Sequence, residues 1–534
     1  MFSNKPYIFY AFVTVCLLTV LFTTPFLHYP YDIFYHLITI DTIYEALSHP
    51  IQKMIGLWSN DIYVVVPSGA YETTELPKGR DAWHYAWAYI FNLLHIDSTQ
   101  MFLRAKIIHI LQTYLSLFSI YYFSKVMIRN VFKKLDVLTL KWLSFWSTLI
   151  WLTIYATFSQ VYSQVWLMWY SVNYQITLPL FWYMLGLTLV LFLEKTSWKI
   201  KLFFTFQILL LSRFILQIHS MEFLYYLMYL TLFFFIFIDK IYFFLKKYFY
   251  FIIPMIITIV YIAKHYQPES SPILNYLSIE KLPELYSKIM TSGLWLLNGH
   301  NRAYASINEL MYVILYFSIF FIFYLLWNKY KNIESHMNIR VLFFILLGSL
   351  FVLIPLYQFS GGLFSMITRM NVVNRFYYSS TLFLLIPIFT YALLQRYRLT
   401  YIHIFIALTL MGVTIFSKYN NVINHNYYHN LHSIQNGFQE RKVGFNLSNK
   451  HIQTIKEKIQ FYEQNNTTHK TIKYYARADI AFILKYIYKK DVNWEGRFGG
   501  MNYKKNYNLD KSNQTRQHIL FEIPKGFPPF IPYR

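Results

Sequence analysis

The sequence predicts an α-helical polytopic membrane protein with a small soluble α/β domain at its C-terminal end, and three observations predict it. Of 534 residues, 56% are hydrophobic and only 14% are charged, too little charge to cover a water-facing surface. Apolar runs of about 20 residues, the length that crosses a ~30 Å hydrocarbon core, recur up to residue 417. From residue 418 onward these runs shorten, and Asn, Lys and Tyr become common.

The first run, 7–27, is longer than the apolar part of a signal peptide and is followed by no A-x-A cleavage site, so it reads as a retained anchor. Further spans are expected near 103–123, 138–158, 174–193, 202–218, 221–238, 249–263, 309–327, 341–357, 376–394 and 401–417, about eleven in all. Alternate loops then separate by charge. One set carries Lys125, Arg129, Lys133 and Lys134; Lys195, Lys199 and Lys201; Lys240, Lys246 and Lys247; Lys329, Lys331 and Arg340; and Arg396 and Arg398. The positive-inside rule places this set, and the N-terminus with Lys5, in the cytoplasm. An odd number of spans puts the C-terminus outside, together with the loops 28–101, 264–308 and 358–375. The bias toward Ile, Lys, Asn, Tyr and Phe suggests a bacterium, hence a bacterial inner (plasma) membrane.

The tail 418–534 holds 19 Lys and Arg against 8 Asp and Glu; long domains cross the membrane largely regardless of charge, so the orientation stands. Its pattern reads as a helix near 452–464, a strand at 470–475, a helix at 479–488 and a strand at 518–523. The whole-chain net charge of +23 is thus a topology signal plus a basic outer domain, and no nucleic-acid role is needed. The single Cys16 excludes an internal disulfide and a Cys-based metal site.

No P-loop, dinucleotide fingerprint, zincin motif or nucleophile elbow occurs. The informative segment leaves the first span at 28–47. Asp32 and His36 are four apart and share a helical face, as do Asp41 and Glu45. A carboxylate here can act as general base toward a hydroxyl or hold a divalent cation; alternatively Asp32 and Asp41 cap an interfacial helix, with Pro30 just before.

An external segment with Asp32, the aromatic-His pair Tyr35-His36 and an amphipathic helix, followed by an aromatic-rich loop and a second span, resembles the multi-pass glycosyltransferases of the GT-C class, which include the protein mannosyltransferases and the lipid A aminoarabinose transferases. The resemblance is clearest over 1–125. It implies an external active site, a polyprenyl-phosphate sugar donor and a catalytic acid in the first external loop. Asp32 matches that acid, Asp41 is the second choice, and His36 accompanies them.

Tyr71, Trp83, Tyr85, Trp87 and Tyr89, interspersed with Arg80, Asp81 and His84, suit a sugar-stacking platform, although an interfacial aromatic belt, standard in any membrane protein, is the plainer reading. An acceptor groove is expected between this loop and the turn at 298–302. Charges at the outer membrane edge are costly and mark pathways or sites. Arg104 with Lys106, Arg213, and the pair Arg369 and Arg375 are candidates for a donor phosphate, for which guanidinium offers a bidentate fork; snorkelling to headgroups is the plain alternative. His219 and Glu222 are accessory candidates, as an acid/base pair, a metal site or an ion-pair partner for Arg213. The expected activity is sugar transfer from a polyprenyl-phosphate donor to a glycan or lipid acceptor on the external face, with no cofactor beyond a possible divalent cation. A polysaccharide polymerase, a lipid-linked glycan transporter or flippase, and a non-catalytic assembly protein are the alternatives; repeated halves and Gly/Pro-broken helices, the usual marks of a transporter, are not evident.

Overall fold

A computed structural model of the chain describes residues 6–23, 37, 40, 43–44, 65–68, 71–75, 82–96, 100–132, 134–158, 173–218, 220–239, 242, 246, 279–295, 318–320, 337–367, 379–394, 449–466, 470–477, 480–481, 483–484, 488, 490–492, 503–511 and 516–522. These are predominantly helical. In chain order the elements are α1 (Pro6–Thr23), β1 (Val65–Ser68), β2 (Tyr71–Glu75), α2 (Ala82–Leu93), α3 (Met101–Val131), α4 (Val137–Phe158), α5 (Asn173–Leu193), α6 (Trp198–Ile218), α7 (Ser220–Ile236), α8 (Leu282–Trp295), α9 (Ile339–Ser349), α10 (Gln358–Ile367), α11 (Leu382–Leu394), α12 (Asn449–Gln464), β3 (Ile472–Tyr475), α13 (Tyr503–Asp510) and β4 (Gln517–Leu520).

The runs expected from 103 to 238 are α3 to α7, with α3 continuing to Val131. The runs 249–263 and 401–417, and 309–327 apart from 318–320, lie outside the described residues. Among the described residues, Ile176–Leu193 alone is both long and apolar enough to cross a membrane by those criteria; shorter apolar helices cover Pro6–Leu18, Met221–Ile236, Ile339–Ser349 and Leu382–Ala392. Over residues 103–119 the polarity of α3 is inverted relative to a helix in water. Its buried face carries His109, Gln112, Thr113, Ser116 and Ser119, whereas Leu103, Leu111, Leu115 and Phe118 are exposed. Helix α6 likewise turns Leu202, Phe203, Phe206 and Leu209 outward.

The chain forms two compact units: Met1–Phe12, Ser116–Ser163 and Thr177–Tyr427 in the first, and Val13–Leu115, Gln164–Ile176 and Tyr428–Arg534 in the second. In the first unit the basic loops are tied together at one end. Arg129 at the end of α3 pairs with Glu194 just past α5 at 3.3 Å. Phe132 bridges to Met337, and the Asn338 N–H donates to the Val131 carbonyl at 2.7 Å. Arg340 in α9 meets Asp239 beyond α7 at 2.7 Å, and Tyr391 of α11 packs its ring on Phe132 at 4.9 Å. Lys141 of α4 donates to the Tyr10 hydroxyl at 2.6 Å.

The run 341–357 is not one α-helix. After Ser349 it tightens into a 3₁₀ segment, Leu350–Leu356; Pro355, which has no N–H to donate and disfavours α geometry at the residue before it, opposes a return to the α-helix. Carbonyls around this junction are met by side chains. Tyr229 of α7, fully buried, donates its hydroxyl to the Ser379 carbonyl at 2.6 Å, with the Gly348 carbonyl sharing the proton at 3.2 Å. Ser380 donates to the Ser349 carbonyl at 3.0 Å and Thr381 to that of Ile345. The Tyr229 ring sits among Phe181, Trp182, Phe344 and Phe351 at 4.8 to 5.8 Å between centroids, joining α5, α7 and α9 to the start of α11. Elsewhere in this unit α8 and α10 cross backbone to backbone. A Cβ on Gly293 would strike the Gln358 carbonyl oxygen, and one on Gly362 would strike that of Ile289.

In the second unit the tail forms a layered α/β arrangement. Strands β3 and β4 are parallel, with Tyr474 opposite Ile519, and Tyr474 also bridges in parallel to Val492, so β3 is central. Alternation along β3 sends Tyr474 and Tyr475 to opposite faces. On one face α12 presents Ile455 and Ile459, both buried, with Tyr462 against Tyr474 and Phe521. On the other, α13 packs Tyr507 on Tyr475, whose hydroxyl donates to Asp510 at 2.6 Å and also meets His518 Nδ1 at 2.9 Å. The expected strands and first helix are present to within a few residues; of the expected helix 479–488, Ile480, Ala481, Ile483 and Leu484 are described, all helical and fully buried.

Two predictions follow from these contacts. Tyr229→Phe removes the hydroxyl that the Ser379 and Gly348 carbonyls share and is expected to cost about 1–3 kcal/mol. Gly348→Ala forces a methyl to 2.6 Å from the Tyr229 ring and 2.9 Å from Thr381, an overpacking of similar size. Both lower the thermal midpoint of the purified chain. In the tail, the Tyr475 hydroxyl, followed by Lys473, holds the Asp510 carboxyl below its ordinary value. A lowered carboxylate pKa stabilises the fold above the unfolded value of about 3.9 and stops doing so as pH falls through the folded value. Proteolytic resistance of the tail should therefore decline below about pH 4, and Asp510→Asn should remove that part of the pH dependence.

Candidate functional site

In the second unit the end of the first loop forms a helical hairpin of α2 and the first half of α3, up to Leu115. Helix α2 is unusually aromatic, and Trp83, Trp87 and Phe91 repeat at intervals of four, which puts them on one side. The three rings form a continuous stack, with Trp87 and Phe91 at 5.6 Å and 27° and Trp83 edge-on to Trp87 at 6.5 Å. Trp83 Nε1 donates to Gln112 Oε1 of α3 at 3.2 Å. Eight residues further along α2, Phe91 faces Arg104, eight residues before Gln112, so the two helices run antiparallel.

The end of α2 explains how Arg104 comes to be buried. The His95 N–H donates to the Asn92 carbonyl at 3.2 Å and the Ile96 N–H to the Phe91 carbonyl at 3.0 Å, the pairing of a Schellman cap. That cap needs a left-handed residue, and His95 supplies it at φ 53° where glycine is usual. The turn aims the Ile96 carbonyl at α3, and Arg104 takes it with two nitrogens, Nε at 3.0 Å and Nη2 at 2.6 Å. The guanidinium carbon lies 4.5 Å from the Tyr44 ring centroid and 5.3 Å from that of Phe91. Arg104 is 0% exposed. A cation at a helix C-terminus, stacked on two rings, is favourable on both counts.

Tyr44 belongs to the segment that carries the candidate acids. Leu37, Ile40 and Ile43, three residues apart on one face, are helical and fully buried, as expected for an amphipathic helix after the first span. Asp32, His36 and Asp41 themselves lie outside the described residues, as do His219, Arg369, Arg375 and the turn 298–302. The aromatic residues of α2 turn inward: Trp83, Tyr85 and Trp87 are 1%, 8% and 6% exposed, and His84 is 3% exposed. These four are held in packing and are not displayed as an open platform, while Tyr89 is half-buried.

Arg213 and Glu222 belong to the first unit. Arg213 is half-buried in the last turns of α6, and Glu222 is buried in the first turn of α7, where the helix N-terminus favours a carboxylate. Among the described residues no three His, Cys, Asp or Glu side chains converge as metal ligands. Sequence reasoning missed His109 and Gln112, both buried on α3 beside the Trp83 contact. Their signal was present: polar residues at 109, 112, 113, 116 and 119 follow a helical stripe inside a run read only for its apolarity.

Arg104→Lys keeps the charge and loses both the fork and the stack. The amides of 91–96 should then exchange about tenfold faster with deuterium, the equivalent of about 1.4 kcal/mol; unchanged exchange would mean that the cap holds without the guanidinium. Neither protein-family models nor curated proteins nor solved structures give a match to this chain.

Proposed function

We propose that the chain is a polytopic membrane glycosyltransferase of the GT-C type, with about eleven transmembrane helices, transferring a sugar from a polyprenyl-phosphate donor to a glycan or lipid acceptor on the external face of the membrane. The observation that carries this reading is the attachment of the acid-bearing segment to the start of α3. Buried Leu37, Ile40 and Ile43 hold that segment by its apolar face, and Tyr44 lies over the Arg104 guanidinium. A carboxylate that must meet both a lipid-borne donor and an acceptor needs such anchoring, because a general base works only within hydrogen-bond reach of its proton.

Membrane placement is supported by the inverted polarity of α3 and by the apolar outer face of α6. Leucine and phenylalanine side chains facing out, with serine, threonine and glutamine facing in, are stable where the surrounding medium is hydrocarbon. On this reading Asp32, with Asp41 the second choice, accepts the acceptor's proton, and His36 lies on the same helical face as Asp32. The acceptor oxygen attacks the anomeric carbon, and the bond to the donor's phosphate oxygen breaks. Arg213, Arg369 and Arg375 are the cations proposed to stabilise the departing polyprenyl phosphate. Arg104, closed on a carbonyl and two rings, is a positioning residue for the loop in place of a phosphate ligand. A divalent cation is optional in this scheme.

Membranes containing Asp32→Asn should release polyprenyl phosphate from a polyprenyl-phosphate-sugar donor about 10²–10⁴-fold more slowly than wild type, with Asp41→Asn as the companion variant. Full transfer by both variants would end the assignment.

A further inference from the structure

The tied end of the first unit carries more charge than its internal contacts use. Its acidic residues, among those described, are Asp136, Glu194 and Asp239, and each is engaged within the protein. Asp136 accepts from the Thr139 N–H at 2.8 Å at the start of α4. Glu194 is taken by Arg129 at 3.3 Å and Asn130 at 3.4 Å. Asp239 is taken by Arg340 at 2.7 Å. Around them Lys134, Lys195, Lys199 and Lys246 are exposed, and Lys125 and Lys201 are half-exposed. The salt bridges and the Phe132–Met337 bridge hold the loops that bear these lysines at one end of the unit.

Two further features mark this end as the level of lipid headgroups. Trp198, at the start of α6 between Lys195 and Lys199, is 69% exposed, and its amphipathic ring suits the boundary between water and acyl chains. Directly below it along α6, Leu202, Phe203 and Phe206 are exposed, a face for hydrocarbon. Lysines on both sides of an aromatic anchor, at the head of an apolar helix face, have the order of charge and polarity of an anionic phospholipid, read from phosphate to chain.

We infer that this end of the first unit, centred on Lys195, Lys199 and Lys201, is a docking surface for the headgroups of anionic phospholipids. The inference rests on the membrane placement proposed above and is independent of glycosyl transfer. Each lysine near an anionic surface contributes about a fivefold preference, weakened as salt shortens the screening length.

The test is the binding of spin-labelled phosphatidylglycerol relative to spin-labelled phosphatidylcholine by the full chain reconstituted in phosphatidylcholine bilayers. Wild type should favour phosphatidylglycerol, less so at high salt. The triple variant Lys195→Gln, Lys199→Gln, Lys201→Gln should lose about fivefold or more of that preference, while the triple Lys→Arg variant should keep it. Equal binding of the two lipids, a preference untouched in the Gln variant, or full competition by inorganic phosphate would overturn the inference. A chain that enters the bilayer yet shows no preference would do so without disturbing membrane placement, whereas failure to enter the bilayer would remove both.

Discussion

Carbonyls at a helix junction in apolar surroundings need donors, and in the first unit much of the architecture follows from that need. After Ser349 the chain leaves α geometry, and Pro355 opposes its return. The donors arrive from elsewhere: Tyr229 from α7, and Ser380 and Thr381 from the start of α11. Each of these side chains can reach its carbonyl only if three helices are brought close, which is why Gly348 has no room for a side chain and Ser349, Ser379, Ser380 and Thr381 are small and fully buried or nearly so. The ring cluster around Tyr229 then fills the space that the small residues leave. Hydrogen bonding fixes the geometry of this junction, and aromatic packing supplies its bulk.

Charge follows a similar economy. Within the first unit the described acids near the basic loops, Asp136, Glu194 and Asp239, all serve as fasteners, and the lysines around them face outward. In the second unit a guanidinium is buried outright, and its cost is offset by a backbone carbonyl and two aromatic faces. Cationic side chains thus do opposite work in the two units. Exposed lysine remains available to a charged environment, whereas Arg104 is committed to holding a turn that His95 enters at some conformational cost.

Hydropathy located most of the described helices well, because a long apolar run in a chain so poor in charge has few other fates. α4 and α5 begin and end within a residue or two of expectation. The same measure failed at 341–357, since it registers apolarity and is blind to the donor that proline lacks. It does not bear on α2. Aromatic richness before the second span suits a sugar platform or an interfacial belt, and neither reading contains the packing of α2 on α3 that the burial of Trp83, Tyr85 and Trp87 and the Trp83–Gln112 contact display. Arg104 was legible as a buried charge, but its partner, a carbonyl presented by a left-handed histidine, had no signature in the sequence. The tail was readable because its alternation and its helical stripe are strong, as Tyr474 and Tyr475 on opposite faces of β3 illustrate.

The crossing of α8 and α10 has a consequence for how that pair recognises itself. Each glycine lies against the carbonyl four residues before the other glycine, Gly293 against Gln358 and Gly362 against Ile289. The relation is reciprocal and the helices run antiparallel, so a slide that carries Gly293 off Gln358 carries Gly362 off Ile289 at the same time. Sliding by one turn in one sense would set the Ile289 side chain against the Gln358 backbone, where only a glycine fits. Register is therefore encoded by two absences that act together, and the helices behave as a lock whose key is missing volume.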